Sequence, residues 1–422
     1  MARNGDKYEW AVGAPPPMLD QHSAVKHSIV HGYIRRYIKT VMAPATIPRL
    51  TLTLVDGFSG GGSYLDEARS GVVDGTPLIM LRAVLEARAE LNVDRVVPRE
   101  IDAEFFFIDK NPQVVEHLRW WIGRRQDAGA IGAQDVMRAH LRSAEFAAEL
   151  PTIVERIKAR RGGGRAIFLL DQYSYRAVPM TLLKWLMAEL PGAEIILNFN
   201  VDSLTAFLSD NAGNRKPVRD IGLESYVPWE QLQRLKTNRD WRSTLQRHLA
   251  HGIKQETGAP FMTLFFVRPY RANGWSYWLV HLSQRYRAHD VMKQLHWEHS
   301  SEFGHELEPG LFTLGYNPRR DEAYNGQSSI LFGPSSEELC VEHLADDLAR
   351  KLAGTGPVTV GQLFETHISN TMADEARLQG VIQRLHRSRE IVVSSAADRV
   401  RRPSKVYRST DVIEYSPQII LT

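Results

Sequence analysis

"TLTLVDGFSGGGSY", residues 51–64, runs from leucine and β-branched residues into Asp56 and then into three glycines. Such residues suit a strand buried on both faces. The abrupt change to Gly60, Gly61 and Gly62 places permissive backbone at the strand's end, where a ligand can approach the main chain. Outward from this point the theme repeats. "AEFFFIDKNP" (103–112) and "AIFLLDQYSY" (166–175) are apolar runs ending in Asp109 and Asp171, and "EIILNFN" (194–200) is a fourth run. Helical patterns lie between them. "GTPLIMLRAVLEARAEL" offers Thr76 as N-cap and Pro77 at the first helical position, and "VVEHLRWWIGRR" and "MTLLKWLMAEL" follow later. The alternation predicts a parallel sheet covered on both faces.

Farther on, "FMTLFFVRPY" and "WSYWLVHLS" flank "RANG" and predict two antiparallel strands. The expected fold class is therefore α/β, a Rossmann-like sheet of class I methyltransferase layout, parallel with a terminal antiparallel hairpin. Residues 1–48 form an N-terminal helical extension. In it "HSAVKHSIVHGYIRRYIKTV" (22–41) puts Val25, Ile29, Val30, Tyr33, Ile34 and Tyr37 at helical spacing. Residues 49–300 form the main domain, with a polar, basic, helical insertion at 201–260. Residues 301–334, rich in Gly, Pro, Asn and Ser, read as a linker. Residues 335–422 carry three helical patterns and then two short strands, "EIVVSS" and "KVYRSTDVI", which describe a winged helix.

The 422 residues suit two or three domains, and 43% hydrophobic with 24% charged residues suits a globular chain. A net charge of +3 is too mild to imply nucleic acid by itself. The single cysteine, Cys340, excludes a disulfide framework or a cysteine metal cluster within the chain and reads as a buried thiol. No apolar run of about 18 residues exists, so no spanning helix is expected. "MARNGDKYEW" lacks a signal-peptide core, so a cytoplasmic protein is expected. No metal site is expected: "HWEHSSEFGHE" (296–306) lacks the His-Glu-x-x-His spacing.

Three ligands compete for the Gly-rich turn. A phosphate-binding loop of the Walker type needs a terminal Gly-Lys-Ser/Thr, which is missing. A dinucleotide fingerprint wants a further Gly three positions after the second, and Ser63-Tyr64-Leu65 follows Gly62 instead. S-adenosylmethionine fits better. Its sulfonium and amino groups are cationic, which suits Asp56, while the small residues Gly57, Ser59, Gly60 and Gly62 let the backbone approach its methionine portion. Asp109 then meets ribose hydroxyls, and Asp135 in "AIGAQDVMRAHL" meets the adenine amino group. In "LLDQYSY", Asp171 is placed to accept a hydrogen bond from a target amine, and Tyr173 or Tyr175 to stack on a base. Gln172 and Ser174 stand where amino-group methyltransferases carry prolines. A cytosine-ring methyltransferase is set aside because its nucleophilic cysteine has no counterpart here.

Together, "HSAVKHSIVHGYI", "TLVDGFSGGGSY…GTPL", "FFIDKNP", "IFLLDQYSY…LLKWLM", "EIILNFN" and "AHDVMKQLHW" resemble the three-Cys-motif partner family, TcmP, over residues 18–300. That resemblance implies an S-adenosylmethionine-dependent methyltransferase-like domain working with a three-cysteine, radical-SAM-like partner. It puts Asp56, Gly57, Phe58, Gly60 and Gly62 against the cofactor and Asp171 at the reaction centre. It also implies that the helix carrying His22, Lys26 and His27 closes over the cleft.

The tail concentrates charge. Arg377, Arg384 and Arg387 fall in the expected recognition helix and Arg399, Arg401, Arg402 and Lys405 at the wing, opposed only by Glu390 and Asp398. Cations on a helix and a neighbouring hairpin match a phosphate backbone, so nucleic acid is the expected partner there, with protein docking as the alternative. Two functions remain: a methyltransferase acting on or directed to nucleic acid, or an inactive adaptor or DNA-binding regulator on the same fold.

Overall fold

The computed structural model describes residues 8–66, 71–172, 176–206, 208–209, 211–237, 241–269, 276–308, 311–318, 336–367 and 371–416. Tyr173, Tyr175 and the "RANG" turn lie outside the described residues, as do the side chains of His22, Cys340, Glu302, His305 and Glu306.

Helix α1 (Gln21–Val41) precedes β1 (Arg49–Asp56), the ribbon β2 (Ser63–Asp66) and β3 (Gly71–Asp74), and α2 (Thr76–Asn92). Then come β4 (Glu100–Asp109), α3 (Pro112–Asp127), the single turn α4 (Ala133–Val136), β5 (Ala139–Ser143) and α5 (Phe146–Ala159). Strand β6 (Arg165–Leu170), α6 (Met180–Glu189) and β7 (Gly192–Phe199) complete the parallel part. Four helices bridge β7 and β8: α7 (Val201–Ala206), α8 (Ala212–Asp220), α9 (Leu232–Lys236) and α10 (Trp241–Thr257). Strands β8 (Phe261–Val267) and β9 (Tyr277–Ser283), helix α11 (Tyr286–His299), and strands β10 (Glu302–Glu308) and β11 (Leu311–Tyr316) close the first domain.

The nine-stranded sheet has the order β10-β11-β8-β9-β7-β6-β1-β4-β5. Strand β9 runs antiparallel between β7 and β8, while β5, β4, β1, β6 and β7 are parallel. This is the class I methyltransferase order, extended at one edge. The extension corrects the reading of 301–334 as linker. Residues 302–308 and 311–316 are strands, and β11 pairs in parallel with β8 through Gly315–Phe266 and Tyr316–Val267. The charged run "EFGHELE" hid β10, the edge strand, and the Gly-, Pro- and Asn-rich surroundings hid the short apolar β11, "LFTLGY", which lies between β10 and β8.

Alternate residues of each strand feed opposite faces. Leu52, Leu54, Phe105 and Phe107 pack with α1, α2 and α11, whereas Val55, Phe106, Phe168 and Leu197 pack with α5, α6 and the bridging helices. Each such fully buried side chain stabilises by about 1.5–3 kcal/mol. Helix α1 is pinned across the sheet by polar contacts as well. The Tyr33 hydroxyl donates to Glu194 of β7, whose carboxylate also lies 2.9 Å from His281 Nε2 of β9.

Strand β4 begins earlier than its apolar run. Asp102 and Glu104 are buried within it, matched by Arg49 at 2.8 Å and Arg160 at 3.1 Å on the first, and by Arg156 at 2.7 Å and His140 at 2.8 Å on the second.

The second domain is a winged helix. It comprises α12 (Ser336–Thr355), β12 (Val358–Thr359), α13 (Val360–Gln362) running into a π-helical turn (Leu363–His367), α14 (Glu375–Arg387), β13 (Ile391–Ser394) and β14 (Val412–Tyr415). Its strands pair in the order β12-β14-β13 around a core of Leu348, Leu352, Val381, Leu385, Val393 and Ile413. Of "KVYRSTDVI", only Val412 and Ile413 are in the second strand, which continues to Tyr415. No helix among the described residues is long and apolar enough to cross a membrane.

Candidate functional site

The chain leaves β1 outward to β4 and β5, then returns to β6 on β1's other side. Strand β1 is therefore the topological switch point, and the crevice beyond its carboxyl end is where open α/β sheets bind ligands. Asp56 and Asp109 close β1 and β4, Asp171 follows β6 directly, and Asn198 is the penultimate residue of β7.

Asp56 is fully buried and anchors the turn. Its carboxylate accepts from the Thr76 hydroxyl and from the Phe58 N–H at 3.2 Å. Thr76 thus serves β1 rather than capping its own helix, whose N-cap is Gly75. Burial lifts the Asp56 pKa to about 7, against the lowering effect of its two donors.

The turn itself is packed against the protein. A Cβ on Gly57 would meet Phe146 at 2.8 Å, one on Gly62 would meet Leu118 at 2.5 Å, and one on Gly61 would meet the Trp10 ring at 2.2 Å. Gly60 and Gly62 adopt positive φ of 59° and 77°. Trp10 comes from a strap, residues 8–20, that lies over the turn: its Nε1 donates to Ser63 O at 2.8 Å. Tyr8 stacks on Trp10 at 5.8 Å and donates to Asp20 at 2.6 Å. Leu65 and Leu19 join strap and ribbon through Leu65 N–Pro17 O at 2.9 Å and Leu19 N–Leu65 O at 2.7 Å. His117 donates to Gly61 O at 2.8 Å. The smallness of these glycines thus follows from internal packing, not only from a ligand as the sequence suggested.

Asp171 is held on both oxygens. Lys26 of α1 donates to Oδ2, and Asn198 donates to Oδ1 at 2.7 Å. Lys26 is 4% exposed, whereas the Asp171 side chain keeps 28% exposed toward the crevice. Burial would raise the Asp171 pKa, but the Lys26 ammonium and the Asn198 amide hold it below the usual range. Burial and the neighbouring Lys26 charge push His27 down to about 3, so it is neutral. Asp171 is thus an ionised, already bonded acceptor.

Asp109, half-buried, accepts from Asn111 N–H at 2.9 Å. Ser59 Oγ is buried and has no hydrogen-bonding partner among the described residues, an orphan polar atom inside the turn. Phe58 packs on Phe146, with ring centroids 6.0 Å apart. These groups suit a polar ligand with hydroxyls, so the site fits a nucleoside-bearing cofactor at Ser59 and Asp109.

Asp135 does not join them. It precedes β5, at the amino end of the sheet, where Arg88 grips its carboxylate with two bonds of 2.8 Å. Arg88 also reaches Ile101 O near the start of β4. Residues 144–145, after β5, occupy the crevice side instead. Two residues were missed. Trp10 lies in a segment with no periodicity to read, while Asn198 was visible as a lone amide in an apolar strand.

Of the expected nucleic-acid residues, Arg384, Arg387, Arg399, Arg402 and Lys405 are exposed. Two are engaged elsewhere. Arg377 stacks on Trp297 at 3.8 Å and pairs with Asp374 at 2.6 Å, and Arg401 pairs with buried Asp411. Among the described residues, no group of three or more His, Cys, Asp and Glu could hold a metal ion.

Residues 315–398 match the family model of the GMT-like wHTH domain, about a fifth of the chain. No curated protein matches the sequence. Similar solved structures include protein LPL1258 from Legionella pneumophila, at 9% identity and TM-score 0.33, over 60% of this chain and 83% of that one. Cofactor-bound Rv0187 from MTB is similar at 12% identity and TM-score 0.30, over 63% and 88%. Human methyltransferase-like protein 13 in complex with SAH is similar at 12% identity and TM-score 0.28, over 66% and 92%. At such scores these likenesses add nothing to the sheet order, which defines the fold by itself. The chain joins a Rossmann-like sheet of class I methyltransferase order to a C-terminal wHTH domain.

Proposed function

We propose that the chain binds S-adenosylmethionine at the carboxyl edge of its sheet and acts as a methyltransferase-like protein directed to nucleic acid. The observation that carries this reading is the gathering of Asp56, Asp109 and Asp171 at the ends of three adjacent parallel strands at the switch point. In this reading Asp109 accepts from ribose hydroxyls, and the orphan Ser59 hydroxyl supports it by offering a bond within the turn. Asp56 shapes that turn through Thr76 and Phe58. When bound, the cofactor supplies an electrophilic methyl group. Asp171, with Lys26 and Asn198, orients the acceptor beside it, so the protein's contribution is mostly positioning. The wHTH domain supports nucleic acid as the target. The resemblance to TcmP supports a three-cysteine, radical-SAM-like partner.

A second reading, an adaptor that has lost catalysis, is favoured by Trp10 over the glycines and by Lys26 already seated on Asp171. Calorimetry with S-adenosylmethionine and with NAD separates the ligands. The reading expects binding of the first, weakened at least tenfold by Asp109→Ala; binding of NAD alone would refute it. Labelled methyl transfer to DNA, RNA and the three-cysteine partner then separates enzyme from adaptor. Tight binding without transfer favours the adaptor.

A further inference from the structure

The leading end of α14 is spent inside the protein. In a winged helix this is the end that enters a major groove. Here Glu375 N–H donates to Asp290 of α11 at 2.7 Å, and Arg377 N–H donates to its own cap, Asp374, at 2.9 Å. Two carboxylates therefore occupy the N-terminal donors that would otherwise hold a phosphate. Lys293 and Trp297 of α11 donate to Ala373 O and Met372 O at 3.0 and 2.9 Å. Arg287 pairs with Glu375 at 2.7 Å, and the Tyr286 ring stacks on Phe364 at 5.9 Å. A duplex could reach this end only by prising α14 from α11.

The opposite end is open and basic. Arg387 ends the helix, Arg389 lies in the turn after it, and Arg399, Arg402 and Lys405 stand on the wing, all exposed. Arg384 has Glu342 only at 4.0 Å. The acids nearby are mostly engaged: Asp411 holds Arg401, and Glu390 accepts from Ser388 at 2.6 Å. Val400 and Val406, 72% and 65% exposed, lie among these cations in sequence.

We propose that the winged helix engages a nucleic-acid duplex through its wing and the trailing end of α14, along the phosphate backbone and without reading base sequence. This rests on the nucleic-acid direction proposed above and adds which surface is used and what it can recognise. Phosphate contacts position a protein but carry no sequence information.

The test is fluorescence anisotropy of the full chain with 20-base-pair DNA and RNA duplexes of unrelated sequence, between 50 and 200 mM KCl. Affinities within about threefold across sequences of one duplex type are expected. The slope of log K against log salt should flatten by about 0.9 for each of Arg399→Ala, Arg402→Ala and Lys405→Ala. Arg377→Gln should leave the slope unchanged. A tenfold preference for one sequence, or a flatter slope in Arg377→Gln, would overturn the inference while sparing nucleic acid as target. Absence of salt-sensitive binding to any duplex would overturn both.

Discussion

Lys26 and Asp171 are the residues whose meeting matters most. A buried ion pair broken on one side strands the other charge. Lys26→Met should cost about 3 kcal/mol in urea unfolding, and adding Asp171→Asn should recover part of that loss. Strict additivity of the two would mean the pair is not coupled. Asp56 makes a pH prediction. Its folded pKa, about 7, exceeds its unfolded value, so the folded state binds the extra proton. The stability it contributes is full below about pH 4 and is lost as pH rises toward 7. In the absence of ligand, the Tm of Asp56→Asn minus that of the natural chain should therefore grow from pH 5 to 7 and level off above. Scanning fluorimetry across that range checks it; a flat difference would mean that Asp56 does not hold a proton near neutrality.

Among the elements, the strap and the glycine turn fit as one unit. Gly61→Ala would drive a Cβ into the Trp10 ring, and overpacking of this kind costs about 1–3 kcal/mol. In a Trp10→Ala background the same change should cost little, and limited proteolysis should cut residues 8–20 faster in either single variant. The strap was illegible in the sequence because an irregular segment carries no periodicity, and only the surface it meets explains its aromatic residues. The acids within β4 were hidden for a related reason. Asp102 and Glu104 look foreign to a buried strand until Arg49, Arg138, Arg156 and Arg160 arrive from β1, α5 and the segments before β5 and β6. By contrast α1 was readable throughout: each of its six apolar positions, from Val25 to Tyr37, is buried.

Taken whole, the described residues form two domains joined through α11. Tyr286 and Trp297 of that helix pack against the winged-helix core, and Arg377 lies over the Trp297 ring. Trp297→Ala should loosen this joint by about 3 kcal/mol, the low end for a Trp truncation because the ring is only half-buried. Calorimetry should then resolve two unfolding transitions in place of one; a single unshifted transition would show the joint to be energetically silent.

The sequence by itself determined the apolar strands, their helical partners, the strand-end acids Asp56, Asp109 and Asp171, and the winged helix. Local periodicity and turn chemistry encode those directly. Only the tertiary structure decided that Asp135 faces the wrong end of the sheet, that Trp10 fills the glycine turn, and that Arg377 belongs to a domain joint. Each depends on which distant segment supplies the neighbouring atoms, and no local pattern carries that information.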